Sequence, residues 1–108
     1  MQLVEKAREF IEENYWRSEL SIEEVSERIF INPSYLSKIF KRDMKCSMVE
    51  YLMELRMKKA KGKMDAPGDM NISEVAYQVG YTDPFYFSKV FKKTFGVSPS
   101  KYLERKHR

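Results

Sequence analysis

Cysteine and histidine, the side chains most used in nucleophilic and metal chemistry, occur once each in these 108 residues. Cys46 alone closes no internal disulfide and builds no thiolate zinc site. His107, next to last in a basic tail, supplies neither a nucleophile–histidine arrangement nor a multi-histidine metal site. With four glycines in all, the chain has no glycine-rich phosphate loop, and no paired carboxylates fall in a plausible pocket. The expectation is no catalytic residue, no metal and no cofactor, hence not an enzyme. No apolar run approaches the roughly 18 residues that cross a bilayer, and the first residues carry no signal-peptide pattern, so no membrane partner is expected. A binding protein of the reducing cytoplasm is the favoured class.

What is present is enough apolar material for a core, 43% of the residues, and a charged fraction of 33%. One compact domain, or two very small ones sharing a surface, fits that length. The net charge of +4 is mild, but its distribution is not. Residues 1–30 hold four basic against eight acidic side chains, and residues 31–64 hold nine against three. Residues 65–88 hold none against four, and residues 89–108 seven against one. Charge runs in two acidic-then-basic waves, as expected of two modules that each present one basic face.

A repeat of about 50 residues underlies the waves. Leu20-Ser21-Ile22-Glu23-Glu24-Val25 lies over Met70-Asn71-Ile72-Ser73-Glu74-Val75. After a one-residue insertion, the stretch from Asn32-Pro33-Ser34-Tyr35 to Lys41 lies over Asp83-Pro84-Phe85-Tyr86 to Lys92. The same register carries Cys46 onto Val97 and Tyr51 onto Tyr102, so Cys46 reads as a small core side chain.

Each unit is punctuated as short helices. Ser21 with Glu24, and Ser47 with Glu50, form the pattern of a reciprocal capping box; Asn71 with Glu74 repeats the first with asparagine as cap. Asn32-Pro33 and Asp83-Pro84 place a cap residue before a proline at the first helical position. Gly80 suits the left-handed backbone that a tight turn between helices often needs. Val4, Ala7, Ile11 and Tyr15 predict an opening helix, with Trp16 as a roof at its end. From Ser47 to about Gly62, Met48, Leu52 and Leu55 line one side of a helix and Val49, Met53, Met57, Ala60 and Met64 another. That pattern predicts a rod buried between two bodies. Ser98-Pro99 opens a last short helix. The expected fold is all-α, with about seven helices and no strands. A first helix-turn-helix subdomain spans 1–46, a linker helix 47–64, and a second helix-turn-helix subdomain 65–108.

The second helix of each pair carries the functional signal. Leu36, Ile39 and Phe40 form its inner stripe in the first unit, and Ser34, Ser37, Lys38 and Lys41 the opposite one. Phe87, Val90 and Phe91 point inward in the second unit, while Phe85, Ser88, Lys89 and Lys92 share the outer stripe. One lysine stripe opposite an apolar stripe is usually a solvated face; its recurrence in the same register of a repeated helix-turn-helix favours DNA. A narrow helix of this kind enters the major groove, about 12 Å wide, and its lysines meet base edges or phosphates. Phe85 has two open readings: contact with a thymine methyl, or packing back on Tyr81.

These residues resemble the C-terminal DNA-binding domain of AraC/XylS-type transcription regulators. The segment that carries the likeness runs Ile72-Ser73-Glu74-Val75-Ala76-Tyr77-Gln78-Val79-Gly80-Tyr81-Thr82-Asp83-Pro84, and continues through Phe85-Tyr86-Phe87-Ser88-Lys89-Val90-Phe91 to Phe95-Gly96-Val97-Ser98-Pro99. Tyr35-Leu36-Ser37-Lys38-Ile39-Phe40-Lys41 and Leu55-Arg56-Met57-Lys58-Lys59-Ala60 are similar to the family's first unit and linker helix. The resemblance implies that the third and sixth helices enter adjacent major-groove segments of double-stranded DNA. By position, Ser34, Ser37, Lys38, Phe85, Ser88 and Lys89 would face bases, and Lys41, Arg42, Lys92 and Lys93 would lie near phosphates. Lys38 and Lys89 stand where the family often has arginine, which weakens bidentate guanine readout. Lys63 stands where it has leucine. RNA polymerase is the further partner implied, with an effector or receiver domain missing from this chain. Glu13-Asn14-Tyr15 is most similar to versions attached to two-component receivers. A different class of function remains beside this one, a helical adaptor whose basic stripes meet an acidic protein, with Phe85 and the methionine-rich linker as anchors.

Overall fold

Proline, asparagine and serine at the predicted cap positions set most of the helix starts. The computed structural model describes residues 2–106, so His107 lies outside the described residues. Seven helices follow one another among the described residues: α1 Gln2–Asn14, α2 Ile22–Arg28, α3 Pro33–Met44, α4 Met48–Asp65, α5 Ile72–Gln78, α6 Pro84–Phe95 and α7 Pro99–Lys106. Among the described residues there is no strand, and the fold is all-α. The body is elongated, 48 × 23 × 22 Å.

The Ser47–Glu50 box is complete: Glu50 N–H donates to Ser47 Oγ at 3.0 Å, and Ser47 N–H donates to Glu50 Oε1 at 2.9 Å. The other two boxes are half-formed. Ser21 Oγ accepts from Glu24 N–H, but the Glu24 carboxylate is taken by the Arg17 guanidinium at 2.7 and 3.1 Å. A forked, charge-assisted pair outcompetes a single bond to a backbone amide. Asn71 Oδ1 accepts from Glu74 N–H and Asn71 Nδ2 donates to Glu74 Oε1. Asparagine brings its own donor, so the glutamate has no need of the backbone. Asn32 and Asp83 cap α3 and α6 ahead of Pro33 and Pro84, as predicted. At their far ends, Lys45 and Gly96 occupy the same left-handed position, with φ of 64° and 77°.

Buried side chains fall into two clusters. Val4, Ala7, Ile11, Val25, Leu36, Ile39, Phe40, Met48 and Leu52 belong to the first; Met57, Ala60, Met64, Val75, Val79, Phe87, Val90 and Phe91 to the second. Helix α4 contributes to both, and this departs from the picture of a rod buried along two full sides. Its first half gives Met48 and Leu52 to one core, its second half Met57, Ala60 and Met64 to the other. Val49 and Met53, expected on a buried side, are exposed, because the face they share with Met57 is covered only where the second unit begins. The helix also runs about one turn past Gly62, to Asp65.

Register explains this double use. Val4, Ala7 and Ile11 of α1 have the spacing of Met57, Ala60 and Met64 of α4, 53 residues on. Tyr51, near the start of α4, donates to the Glu12 carboxylate of α1; Tyr102 of α7 donates to the Asp65 carboxylate at the end of α4. The Phe40–Tyr51 edge contact, 5.7 Å between centroids, recurs as Phe91–Tyr102 at 5.9 Å. Each unit is thus four helices: an opener, a helix-turn-helix pair and a closer. Helix α4 closes the first unit and opens the second. Trp16 does not roof a core, for it is 55% exposed and donates its indole N–H to Glu13 O.

Candidate nucleic-acid interface

Each helix-turn-helix pair presents α3 or α6 by burying one stripe and freeing the other. Leu36, Ile39 and Phe40 anchor α3 in its core, which leaves Ser34, Ser37, Lys38, Lys41 and Arg42 exposed. Phe87, Val90 and Phe91 anchor α6, with Phe85, Lys89, Lys92 and Lys93 exposed and Ser88 half-buried. Among the described residues no carboxylate lies within salt-bridge distance of Lys38, Lys41, Lys89, Lys92 or Lys93. Their charge is available to an anion. Arg42 is different, because its Nε donates to Asp43 Oδ1 at 2.9 Å, which raises the guanidinium pKa and lowers that of the Asp43 carboxyl.

Phe85 is 82% exposed. Packing back on Tyr81, one of its two sequence readings, is not what the fold adopts: Tyr81 meets Tyr86 and Phe87 instead, at 6.0 and 5.6 Å. Cys46 is half-buried and its thiol pKa is raised by burial, consistent with a small packing side chain. A groove of about 450 Å³ between α4 and α6 brings Met53 and Glu54 beside Tyr86, Lys89 and Lys93. No cluster of His, Cys, Asp or Glu that could hold a metal occurs among the described residues. None of their helices is long and apolar enough to cross a membrane.

The residue that sequence patterning passed over is Arg56. It lies within the quoted linker-helix segment, yet nothing in its spacing separates it from the solvated lysines that follow. In the fold it is 9% exposed. Its Nε donates to Tyr15 O and its Nη2 to Arg17 O, both at 2.8 Å, and its guanidinium sits 5.5 Å from the centre of the Tyr81 ring. Gly80 completes the packing: with φ of 102°, its backbone comes so close that a Cβ there would lie 2.7 Å from Tyr15 O and 2.8 Å from the Arg56 guanidinium. Burial lowers the arginine pKa, but a guanidinium stays charged at neutral pH all the same.

With this geometry in place, likenesses to known proteins are informative. A family model described as a helix-turn-helix domain matches residues 25–105. The Msm operon regulatory protein of Streptococcus mutans is 34% identical over 99 residues, covering 92% of this chain and 35% of that protein. The lactose operon transcription activator of Staphylococcus xylosus is 38% identical, with the same shares covered. Among solved structures, the C-terminal domain of AraT, a response regulator from Geobacillus stearothermophilus, superposes with a TM-score of 0.91 at 35% identity, covering 97% of this chain and 86% of that one. The chain spans about a third of the length of these two curated relatives.

Proposed function

The chain belongs to the AraC-type helix-turn-helix family, and from that premise we propose that it binds double-stranded DNA sequence-specifically as the reading part of a transcription regulator. The observation that carries this reading is the pair of anchored helices, α3 and α6, each showing free lysines at matching positions of a repeat. A monomer with two unequal heads reads an asymmetric target, with contact patches about one helical turn (10–10.5 bp) apart. Ser34, Ser37, Lys38, Phe85, Ser88 and Lys89 face base edges; Lys41, Arg42, Lys92 and Lys93 meet phosphates. Arg42 contributes least among the phosphate set, since Asp43 already engages it. The relatives' length supports a larger whole, in which an effector or receiver domain governs this one and RNA polymerase is the partner at the promoter. Such a regulator works in the cytoplasm, alongside bacterial DNA, with no catalytic step of its own.

Selection from a random duplex pool supplies the target, and titrations on selected and scrambled duplexes at several salt concentrations test the reading. Lys38→Ala and Lys89→Ala are each expected to cost about 1–3 kcal/mol on the selected duplex and little on the scrambled one. Lys41→Ala should weaken both alike and reduce the salt slope by about one. An adaptor for acidic proteins gives neither selection nor a steep salt dependence, and that result would sink the DNA reading.

A further inference from the structure

Arg56 stands where α4 passes from one core to the other, between Leu52 and Met57. One side chain there touches both units. Its two N–H donors hold the α1–α2 connection of the first through Tyr15 O and Arg17 O, and its flat face covers the α5–α6 turn of the second at Tyr81 and Gly80. We propose that Arg56 is a positioning residue that fixes the separation of α3 and α6, and so sets which spacing of DNA contact patches the protein accepts. The inference rests on the DNA-binding reading and adds the determinant of its geometry.

Two observations separate this role from ordinary packing. The first is the absence of a carboxylate within salt-bridge distance among the described residues, so two carbonyls and an aromatic face balance a buried cation. A hydrophobic side chain of similar volume fills such a space but leaves Tyr15 O without this donor and Arg17 O with the Leu20 N–H alone. What arginine adds is direction, a rigid fork aimed at two acceptors and a plane laid on a ring. The second observation is the repeat. At the register that places α1 over the second half of α4, Arg56 corresponds to Leu3, a partly buried apolar residue of the first core. Gly80 corresponds to Phe30, which is 94% exposed. A unit on its own needs neither the arginine nor the glycine; the junction between units needs both. Two heads on one stiff body bind as a preorganised bivalent ligand, and stiffness is what makes such a ligand selective for spacing.

The test compares the protein with Arg56→Met and Arg56→Lys on duplexes whose two patches are moved apart by zero to four base pairs, and on a duplex with only one patch. The unaltered protein should prefer one spacing. Arg56→Met should bind that duplex about tenfold more weakly, accept the others nearly as well, and match the unaltered protein on the single-patch duplex. Lysine keeps the charge and the stem but cannot fork, so Arg56→Lys should show the same flattening, and it carries the test if methionine prevents folding. Equal losses on the one-patch and two-patch duplexes, or an unchanged spacing profile, overturn the proposal. A readout without DNA accompanies it: the distance distribution between spin labels at Glu27→Cys and Gln78→Cys, in a Cys46→Ser background. Both labelled positions are exposed. The distribution should broaden in Arg56→Met, and an unchanged width also overturns the proposal. Broadening in a protein that binds no duplex overturns the DNA reading instead, and leaves Arg56 as the residue that holds the two units.

Discussion

The two helix-turn-helix turns hold equivalent places in the repeat and end in opposite surroundings. Phe30 and Gly80 occupy the same place in the repeat, and both have positive φ, 59° and 102°. In each turn the following residue donates to a carbonyl four residues before the turn, Ile31 N–H to Ser26 O and Tyr81 N–H to Ala76 O. Phe30 projects into solvent, whereas Gly80 is pressed against Tyr15 and Arg56. The backbone of the turn is a local property of the repeated unit. What sits against it depends on whether another unit is present, and only the second turn has one.

Substitution at these two positions should give the largest contrast. Gly80→Ala must place a methyl group on backbone that cannot move freely, and should destabilise by about 2–4 kcal/mol in urea unfolding. Phe30→Gly removes a left-handed phenylalanine from an open site and should change stability by less than about 1 kcal/mol, in the stabilising direction. Similar unfolding midpoints for the two variants would mean that the turns are not so differently placed.

The paired tyrosines sharpen the comparison on a smaller scale. Tyr51→Phe removes a partly buried bond to a Glu12 carboxylate that also engages Arg8, and should cost about 1–1.5 kcal/mol. Tyr102→Phe removes the equivalent bond to Asp65 at an exposed site and should cost about 0.5 kcal/mol. Equal losses would show that the exposed bond is as well shielded as the other.

Acid should distinguish the units most gently. Hydrogen bonds hold four carboxyls of the first unit below their ordinary range: Glu12 from Tyr51, Glu24 from Arg17, Asp43 from Arg42 and Glu50 from the Ser47 amide. A carboxyl whose folded pKa is depressed contributes stability above its unfolded pKa, about 4.3 for Glu and 3.9 for Asp. That contribution is lost as pH falls through the lower folded value. Amide signals followed by NMR from pH 5 downward should therefore report loosening in α1–α3 before α5–α7. Simultaneous loss in both would break the distinction.

Much of this was legible beforehand because it is local. Caps, first-turn prolines and apolar stripes act within a few residues of one another, so Asn32, Asp83, Ser47 and the inner faces of α3 and α6 could be assigned from spacing alone. The outward placement of Lys38 and Lys89 follows from the same stripes. Spacing reads Glu24 as half of a reciprocal box, because its competitor, Arg17, reaches it only once α1 and α2 have folded back. Val49 and Met53 looked buried because periodicity describes a face of a helix and not how far along it a neighbour extends. The doubled role of α4 was hidden by its offset of 53 residues, against 50 or 51 for the rest of the repeat.

Sequence by itself determined the repeated helical unit, its boundaries of capping and turn, and the lysines left outside each core, since these need only contacts between near neighbours. Tertiary structure alone decided that one helix belongs to two cores, and that a mid-helix arginine finds its acceptors at Tyr15 and Arg17, about 40 residues away in the chain. No periodicity encodes that meeting, because it depends on surfaces from two units coming together at one point.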